Sequence, residues 1–196
     1  MQSDGSLDVR AAAAQGLARF AELIAHGRLS DRVATGLLND LIAIAKNDNT
    51  PSLVRRRSLE SAAVFGALPE IVELIRSAYR SDDDSTRAGA VYAMGRTLDR
   101  RWLNILLAEL ESPDAELRYE AARACGEIGD ASAVTGLERC GQDRDAEVRQ
   151  AAIAALGRIG SSGAMRSLHR LVESARPVDR EAIAEALNEA TSDDDL

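Results

Sequence analysis

The sequence predicts an all-α fold built from repeated helical hairpins, and three observations support this prediction. Apolar residues make up 45% of the 196 residues, but aromatic residues make up only 3%, so small side chains such as Ala supply much of the apolar content. The chain has four Pro and no sustained alternation of apolar and polar residues, which argues against a β-sandwich or β-barrel. Short motifs also recur at a nearly constant interval, as expected for stacked helical repeats.

The clearest repeated feature is an arginine that recurs at intervals of 31 or 32 residues, at Arg55, Arg87, Arg118, Arg149 and Arg180. An aspartate and a glycine keep the 31-residue interval, at Asp83, Asp114 and Asp145 and at Gly95, Gly126 and Gly157. Because several residue types share one period, the same structural unit is expected to occur several times in succession.

Each unit is predicted to contain two helices. In the first, small or apolar residues stand three, four and seven positions after the arginine and so share one face, as Ala152, Ile153 and Leu156 do after Arg149. Gly160 then predicts a left-handed turn that ends this helix. A second helix follows, again with regularly spaced apolar residues, and polar turn residues close the unit.

The repeated aspartate and arginine have a structural interpretation. Asp114 stands four residues before Arg118, and Asp145 four before Arg149, so each aspartate is expected to cap the N-terminus of its helix. Each arginine could then bond back to its own cap or across to the aspartate of the next repeat, forming a ladder of charge-assisted hydrogen bonds. The alternative is that these arginines bind a ligand, but their recurrence at a fixed phase favours the ladder.

The motif Asp-x-x-Val/Leu-Arg-x-x-Ala-Ala-x-Ala-Leu-Gly-x-Ile-Gly resembles HEAT repeats of the short bacterial type that is also seen in phycobilisome lyase subunits. It is clearest at 114–129 and 145–160 and is degenerate at 51–66, 83–98 and 176–190. The resemblance implies a right-handed α-solenoid, or superhelix, of HEAT-type hairpins, in which the arginine helices line the concave side. It implies little about function, because such repeats serve unrelated roles.

We expect a single solenoid over residues 1–196. Residues 1–50 would form an enlarged, degenerate N-terminal repeat with two long helices, 51–190 the short repeats, and 191–196 a solvated acidic tail. The tail would shield the last helix, whereas no comparable polar cap precedes the first one. This difference leads us to expect either a fragment of a longer solenoid or an N-terminal end that docks on a partner or a second copy.

Charge and composition limit the classes of partner. The net charge is −8 and the pI about 4.9, which disfavours binding to a nucleic-acid backbone or to an anionic membrane surface. The first residues have no basic region followed by an apolar one, so no signal peptide is predicted. No apolar run is long enough to span a bilayer, and two cysteines are too few for a disulfide framework. A cytoplasmic protein is therefore expected.

Residues that could carry chemistry are few. His26 and His169 lie far apart and have no metal-ligand spacing, and Cys125 and Cys140 fall at positions typical of small core residues. Trp102 is expected to pack against its neighbours. We therefore expect no catalytic, cofactor-binding or metal-binding residues.

These observations predict a non-catalytic scaffold or adaptor that binds a protein partner, of unknown identity, on its concave face. Positions one, two, five and nine after each arginine should face this groove, because they lie off the apolar stripe. Tyr and Arg at such positions are typical of interface hot spots. The residues expected to bind the partner are Arg56, Arg57, Tyr92, Arg96, Tyr119, Glu120, Arg123, Gln150 and Arg158.

Two alternative functions remain open at this stage. One is a subunit or partner of a lyase-type enzyme that handles a tetrapyrrole chromophore, which the resemblance to phycobilisome lyase subunits suggests. The other is a helical-repeat protein that binds nucleic acid, against which the acidic balance and the single lysine, Lys46, argue.

Overall fold

The computed structural model describes residues 7–16, 30–174 and 176–192. In these ranges the chain forms α-helices joined by short turns and contains no strand. The helices are α1 (Leu7–Gly16), α2 (Asp31–Lys46), α3 (Ser52–Ala62), α4 (Pro69–Tyr79), α5 (Asp84–Arg96), α6 (Leu103–Glu109), α7 (Ala115–Ile128), α8 (Val134–Cys140), α9 (Ala146–Ile159), α10 (Ser162–Ser174) and α11 (Arg180–Ser192). They divide between two compact units, residues 1–98 (unit 1) and 99–196 (unit 2).

The repeated aspartates begin the arginine helices, as predicted. The side chain of Asp83 accepts the backbone N–H of Thr86 at 2.8 Å, and Asp114 and Asp145 each accept the N–H of the residue two positions ahead at 2.9 Å. Each carboxylate thereby satisfies a donor that the first helical turn leaves unpaired. This confirms the predicted capping role.

Glycines end two of these helices. Gly129 follows α7 with a φ of 71°, and Gly160 follows α9 with a φ of 61°. This left-handed conformation costs a side chain with a Cβ considerably more than it costs glycine, which explains the residue type at both positions. The predicted left-handed turns are confirmed.

In unit 1 the helices form two layers. Helix α3 packs between α1 and α5, while α2 and α4 form the second layer. The space between the layers is filled by aliphatic side chains, among which Leu41, Ile71, Ile75 and Met94 are completely buried. Packing of one apolar face per helix thus supplies the main stabilisation of this unit.

Unit 2 repeats the same pattern more regularly. Helix α9 packs between α7 and α11, and α8 packs against α10 in the second layer. Cys140 of α8 also contacts Leu110, the residue that follows α6. The predicted stripe on α9 is confirmed, because Ala152, Ile153 and Leu156 are all buried. Leu137 of α8 is also fully buried, as the repeat pattern requires.

The arginine helices of unit 2 approach each other closely at two glycines. A Cβ built on Gly126 would lie 2.8 Å from the Cα of Ala155, and one built on Gly157 would lie 3.0 Å from the Cα of Ala186. Real Cβ atoms essentially never come within 2.8 Å of another heavy atom, so the backbones can be this close only where one helix has no side chain.

Several sequence predictions concern the two ends of the chain. Helix α2 confirms the second predicted long helix, and α1 lies where the first one is predicted. The remainder of the predicted first helix, His26 and residues 193–196 of the acidic tail lie outside the described residues. The single solenoid over 1–196 stays a prediction.

Candidate functional site

Arg118 forms the first rung of a ladder within unit 2. Its Nε and Nη2 atoms donate to the two carboxylate oxygens of Asp143 at 2.7 and 2.9 Å, while Nη1 donates to the backbone carbonyls of Ser112 and Pro113 at 2.8 and 3.1 Å. Because Arg118 donates these hydrogen bonds to Asp143, its pKa is raised. The guanidinium therefore ties α7 both to its own preceding turn and to the next repeat.

Arg149 repeats this arrangement one unit further on. Its Nε donates to Asp179 at 2.8 Å, and its Nη1 donates to the carbonyls of Asp143 and Arg144 at 3.0 and 3.3 Å. The side chains of Arg149 and Asp179 are only 5% and 4% exposed. Both rungs have the same geometry, which supports the structural interpretation of these arginines.

The partners of these arginines differ from the ones that the sequence indicated. Asp114 and Asp145 serve only as helix caps, and the rungs are completed by Asp143 and Asp179. Burial tends to raise the pKa of Asp143, but hydrogen bonds from Arg118 and from the backbone N–H of Asp145 outweigh it and lower that pKa. The carboxylate is thus held in its charged form, as the rung requires.

In unit 1, two predicted partner-binding arginines converge on one buried carboxylate. Arg56 donates through Nε to Glu60 at 2.8 Å, and Arg57 donates through Nη1 to the other oxygen of Glu60 at 2.7 Å. Arg56 also donates to the hydroxyl of Ser85 at 3.0 Å. The spacing of three and four residues on one helix could have indicated these pairs from the sequence. The stem of Arg56 crosses α5 at Gly89, where a Cβ would lie 2.6 Å from its Cγ.

Tyr119 and Arg123, both predicted partner-binding residues, lie together on α7. The guanidinium carbon of Arg123 stands 5.7 Å from the centre of the Tyr119 ring, within the range of a cation–π contact. Arg123 also contacts Glu120 through a long ion pair of 3.5 Å. Both Tyr119 and Arg123 are half-buried, so each keeps part of its side chain at the surface.

Beside Tyr119 the surface of unit 2 has a cavity of about 360 Å³ between the N-terminal ends of α7 and α9. Its walls carry one aromatic ring and four carboxyl groups. The lining residues are Ala115, Glu116, Tyr119, Glu120, Asp145 and Glu147. The cavity therefore combines an aromatic wall with several carboxyl groups.

The remaining predicted site residues are placed as follows. Gln150 and Arg158 are exposed on α9, and the guanidinium carbon of Arg158 lies 3.6 Å from where a Cβ on Gly126 would be. Tyr92 and Arg96 are half-buried on α5 in unit 1.

The expectation that the second position after each arginine faces the groove is wrong for three helices. Gly89, Glu120 and Ala151 are all buried, Glu120 with 6% of its surface exposed. Neighbouring arginine helices pack side by side, so these positions fall at helix–helix contacts that the apolar stripe of a single helix does not reveal.

Both cysteines are buried, which confirms their interpretation as core residues. Burial raises the pKa of Cys125 to about 12 and that of Cys140 to about 11. The thiol of Cys140 donates to the carbonyl of Leu110 at 3.4 Å.

We expect that neither cysteine is labelled rapidly by a thiol reagent in the native protein, because the thiolate is the reactive species and is scarce at neutral pH. The rate of labelling with Ellman's reagent, with and without denaturant, measures this. Fast stoichiometric labelling of the native protein would contradict the burial, and Cys125→Ala and Cys140→Ala variants identify the thiol responsible.

Trp102 is buried, as expected, and His169 is exposed. Among the described residues, no group of His, Cys, Asp and Glu side chains is arranged to hold a metal ion. Within the same ranges, every helix is too short or too polar to traverse a bilayer.

Comparison with known proteins agrees with this architecture. No curated protein matches the chain. Solved structures with a similar fold include an engineered protein, with a TM-score of 0.58 and 21% identity over 97% of this chain and 93% of that one. A designed armadillo repeat protein has a TM-score of 0.52 and 15% identity over 96% of both chains. Another, in complex with the peptide (KR)4, has a TM-score of 0.55 and 16% identity over 91% and 92%.

Identities of this size show the fold alone, and they agree with the stacking of paired helices in each unit. The family model described as HEAT repeats matches residues 103–188, which begin at α6 and end within α11. The predicted all-α solenoid and its resemblance to HEAT repeats are therefore confirmed, with the family match covering most of unit 2.

Proposed function

We propose that the chain is a non-catalytic adaptor that binds a basic segment of a protein partner on the arginine-helix face of unit 2. The observation that carries this proposal is the cavity of about 360 Å³ that Tyr119 and four carboxyl groups line. Repeat solenoids commonly use such continuous helix faces for protein binding.

The shape and chemistry of the cavity favour a long cationic side chain. The aromatic ring of Tyr119 provides an apolar wall for the methylenes of Lys or Arg, and Glu116 and Glu147 carry the negative charge that attracts the head group. Arg123 already lies against Tyr119, so a second guanidinium would meet the ring from the cavity side. Gln150 and Arg158 extend the same face along α9.

One structural relative supports this choice of partner. The designed armadillo repeat protein that shares the fold was solved in complex with (KR)4, a peptide of alternating Lys and Arg. We expect this chain to bind segments of the same basic character, since its cavity is acidic. Arg56, Arg57, Tyr92 and Arg96 lie in unit 1 and stay predicted partner contacts.

The test measures binding of a fluorescently labelled (KR)4 peptide by anisotropy. Tyr119→Ala should weaken binding about tenfold, or about 1.4 kcal/mol, with the melting temperature nearly unchanged, because the side chain is half-buried and carries partner contacts. Glu147→Gln should weaken it too, and more so at low salt, because removing a carboxylate reduces the attraction.

Matched controls lie on the second layer of the same unit. Glu173→Gln and Arg166→Ala on α10 change exposed charges away from the cavity and should leave the affinity unchanged. If Tyr119→Ala and Glu147→Gln bind as tightly as the wild type, or if the two controls weaken binding equally, the assignment of the face is wrong.

The two alternative functions are not adopted. A lyase that conjugates a tetrapyrrole would be expected to use an accessible reactive thiol, whereas both cysteines are buried with raised pKa values. A nucleic-acid partner would bring phosphates to a cavity that carboxylates surround.

A further inference from the structure

The rungs of unit 2 define where a carboxylate must stand to meet the repeated arginine. Asp143, which meets Arg118, lies six residues before the next arginine, Arg149. Asp179, which meets Arg149, lies one residue before the next arginine, Arg180. The carboxylate can therefore come from either of two positions in the following repeat.

In unit 1, the repeat that follows Arg55 carries hydroxyl groups at both of these positions. The arginine that follows is Arg87, and the residues six and one before it are Ser81 and Thr86. The turns at Ser81 and at Asp143 contain the same hydrogen bond. The hydroxyl of Ser81 accepts the N–H of the residue two positions ahead at 3.2 Å, and the carboxylate of Asp143 accepts the corresponding N–H at 2.9 Å. Only the chemical group differs, and the following repeat offers Arg55 no carboxylate from either place.

A cavity of about 390 Å³ lies at this location. It has the size of small-ligand pockets, and Arg55, Ser81 and Thr86 all line it. Its apolar surface comes from side chains such as Leu59 and Leu74, which offer contact to methylene groups. The pocket therefore combines a cation and hydroxyls with an aliphatic wall.

Arg55 is only weakly engaged by the protein itself. Its Nε donates to the carbonyl of Ala45 at 3.3 Å, and its Nη2 pairs with Asp48 at 3.1 Å. Asp48 is 90% exposed, and ion pairs of this kind contribute little because water competes for both partners. A ligand carboxylate can therefore replace Asp48 at small cost.

The charges that line the pocket are of both signs. Lys46, Arg55 and Arg56 are cationic, and Asp48 and Glu73 carry negative charges. Two hydrogen bonds from Thr86 lower the pKa of Asp83, and the positive charges of Arg56 and Arg55 lower it further. Asp83, the N-cap of α5, is therefore charged and interacts electrostatically with both arginines. Arg56 is held by Glu60 and Ser85, which leaves Arg55 and Lys46 as the cations best placed to meet a ligand.

We propose that this pocket of unit 1 binds an aliphatic carboxylate, whose carboxyl group meets Arg55 as Asp143 meets Arg118. The Ser81 hydroxyl donates to the carboxylate, Leu59 and Leu74 contact its methylenes, and Lys46 attracts a second carboxylate where the ligand has one. This site lies in unit 1 and binds a negatively charged ligand, whereas the basic segment proposed above would bind to unit 2. The two proposals can therefore fail independently.

The carboxylate can come from a free dicarboxylate or from a glutamate side chain of a peptide, and two probes separate these sources. Glutarate represents the free ligand, and an N-acetylated, C-amidated Ala-Glu-Ala peptide represents the side chain. Inorganic phosphate tests whether any anion suffices. Binding to the full chain is measured by calorimetric titration and by the ligand-induced shift in melting temperature.

The decisive variant is Ser81→Asp, which supplies the carboxylate from within the chain. It should raise the melting temperature of the unliganded protein and weaken binding of the preferred probe at least tenfold. Arg55→Gln should weaken binding similarly. Ser162→Asp adds the same charge at an exposed position of unit 2 and should bind as the wild type does.

Binding of glutarate alone supports a small-molecule site, and binding of the peptide alone supports a site for a partner's side chain. The proposal is overturned if neither probe binds, if Ser81→Asp binds as tightly as the wild type, or if phosphate binds as well as the carboxylates.

Discussion

Replacing Asp179 by Ala is expected to lower the free energy of unfolding by about 3–5 kcal/mol, as is typical when one partner of a buried ion pair is removed. Among the described residues, Asp179 is the one carboxylate that pairs with the Arg149 guanidinium, at 2.8 Å from its Nε, and both side chains are almost completely buried. Without Asp179 the charge of Arg149 stays buried without compensation. Urea denaturation followed by circular dichroism measures the change.

Two comparisons isolate the effect of burial. Glu111 and Arg139 also form an ion pair between successive repeats of unit 2, but both side chains are 64% exposed. Glu111→Ala should therefore cost less than about 1 kcal/mol. The double variant Arg149→Met with Asp179→Leu should be more stable than Asp179→Ala alone, since it leaves no unpaired charge. If Asp179→Ala is no more harmful than Glu111→Ala, the buried rung does not stabilise the fold.

Replacing Gly126 by Ala is expected to destabilise the protein by about 1–3 kcal/mol, the usual cost of overpacking a close contact. Intrinsic helix propensity alone predicts the opposite, because Ala favours a helix by about 1 kcal/mol over Gly. The new methyl group would lie 2.8 Å from the Cα of Ala155, so one of the two backbones would have to move. A decrease in melting temperature reports this.

Gly36 provides the matched control within α2. No atom lies within 4 Å of the place where its Cβ would be, and its φ is that of an ordinary helix. Gly36→Ala should therefore stabilise the protein by about 0.5–1 kcal/mol, because it restricts the unfolded chain without creating a clash. Equal stabilisation by Gly126→Ala and Gly36→Ala would show that the helices do not need the close approach.

The period of the repeats was sufficient to predict the helices, their caps and the buried stripe. These features depend on residues within one helix or one turn, such as Asp145 before Arg149 or Gly160 after α9, and local geometry determines them. The rung partners depend on how one repeat stacks on the next. Asp143 and Asp179 occupy different positions in their own repeats, so no fixed spacing could identify them in advance.

The candidate site was predictable to a similar extent. Tyr119 and Arg123 were both predicted to lie on the partner-binding face, but their contact with each other was not predicted, although their four-residue spacing on one helix could have indicated it. The burial of Glu120 depends on the neighbouring arginine helix, which sequence periodicity within one repeat does not reveal. The pocket at Arg55 became recognisable only once the rungs of unit 2 showed which positions Ser81 and Thr86 occupy.

The rungs also give unit 2 a direction. Arg118 and Arg149 each take their carboxylate from a residue nearer the C-terminus, so every repeat depends on the one that follows it. Shortening the chain from the C-terminal side to residue 174 would leave Arg149 without Asp179, an orphaned guanidinium at the new boundary. Removing residues from the N-terminal side up to and including Arg118 would leave Asp143 without its arginine, but this carboxylate could turn towards water. The two ends of this array are therefore unequal in their tolerance of truncation.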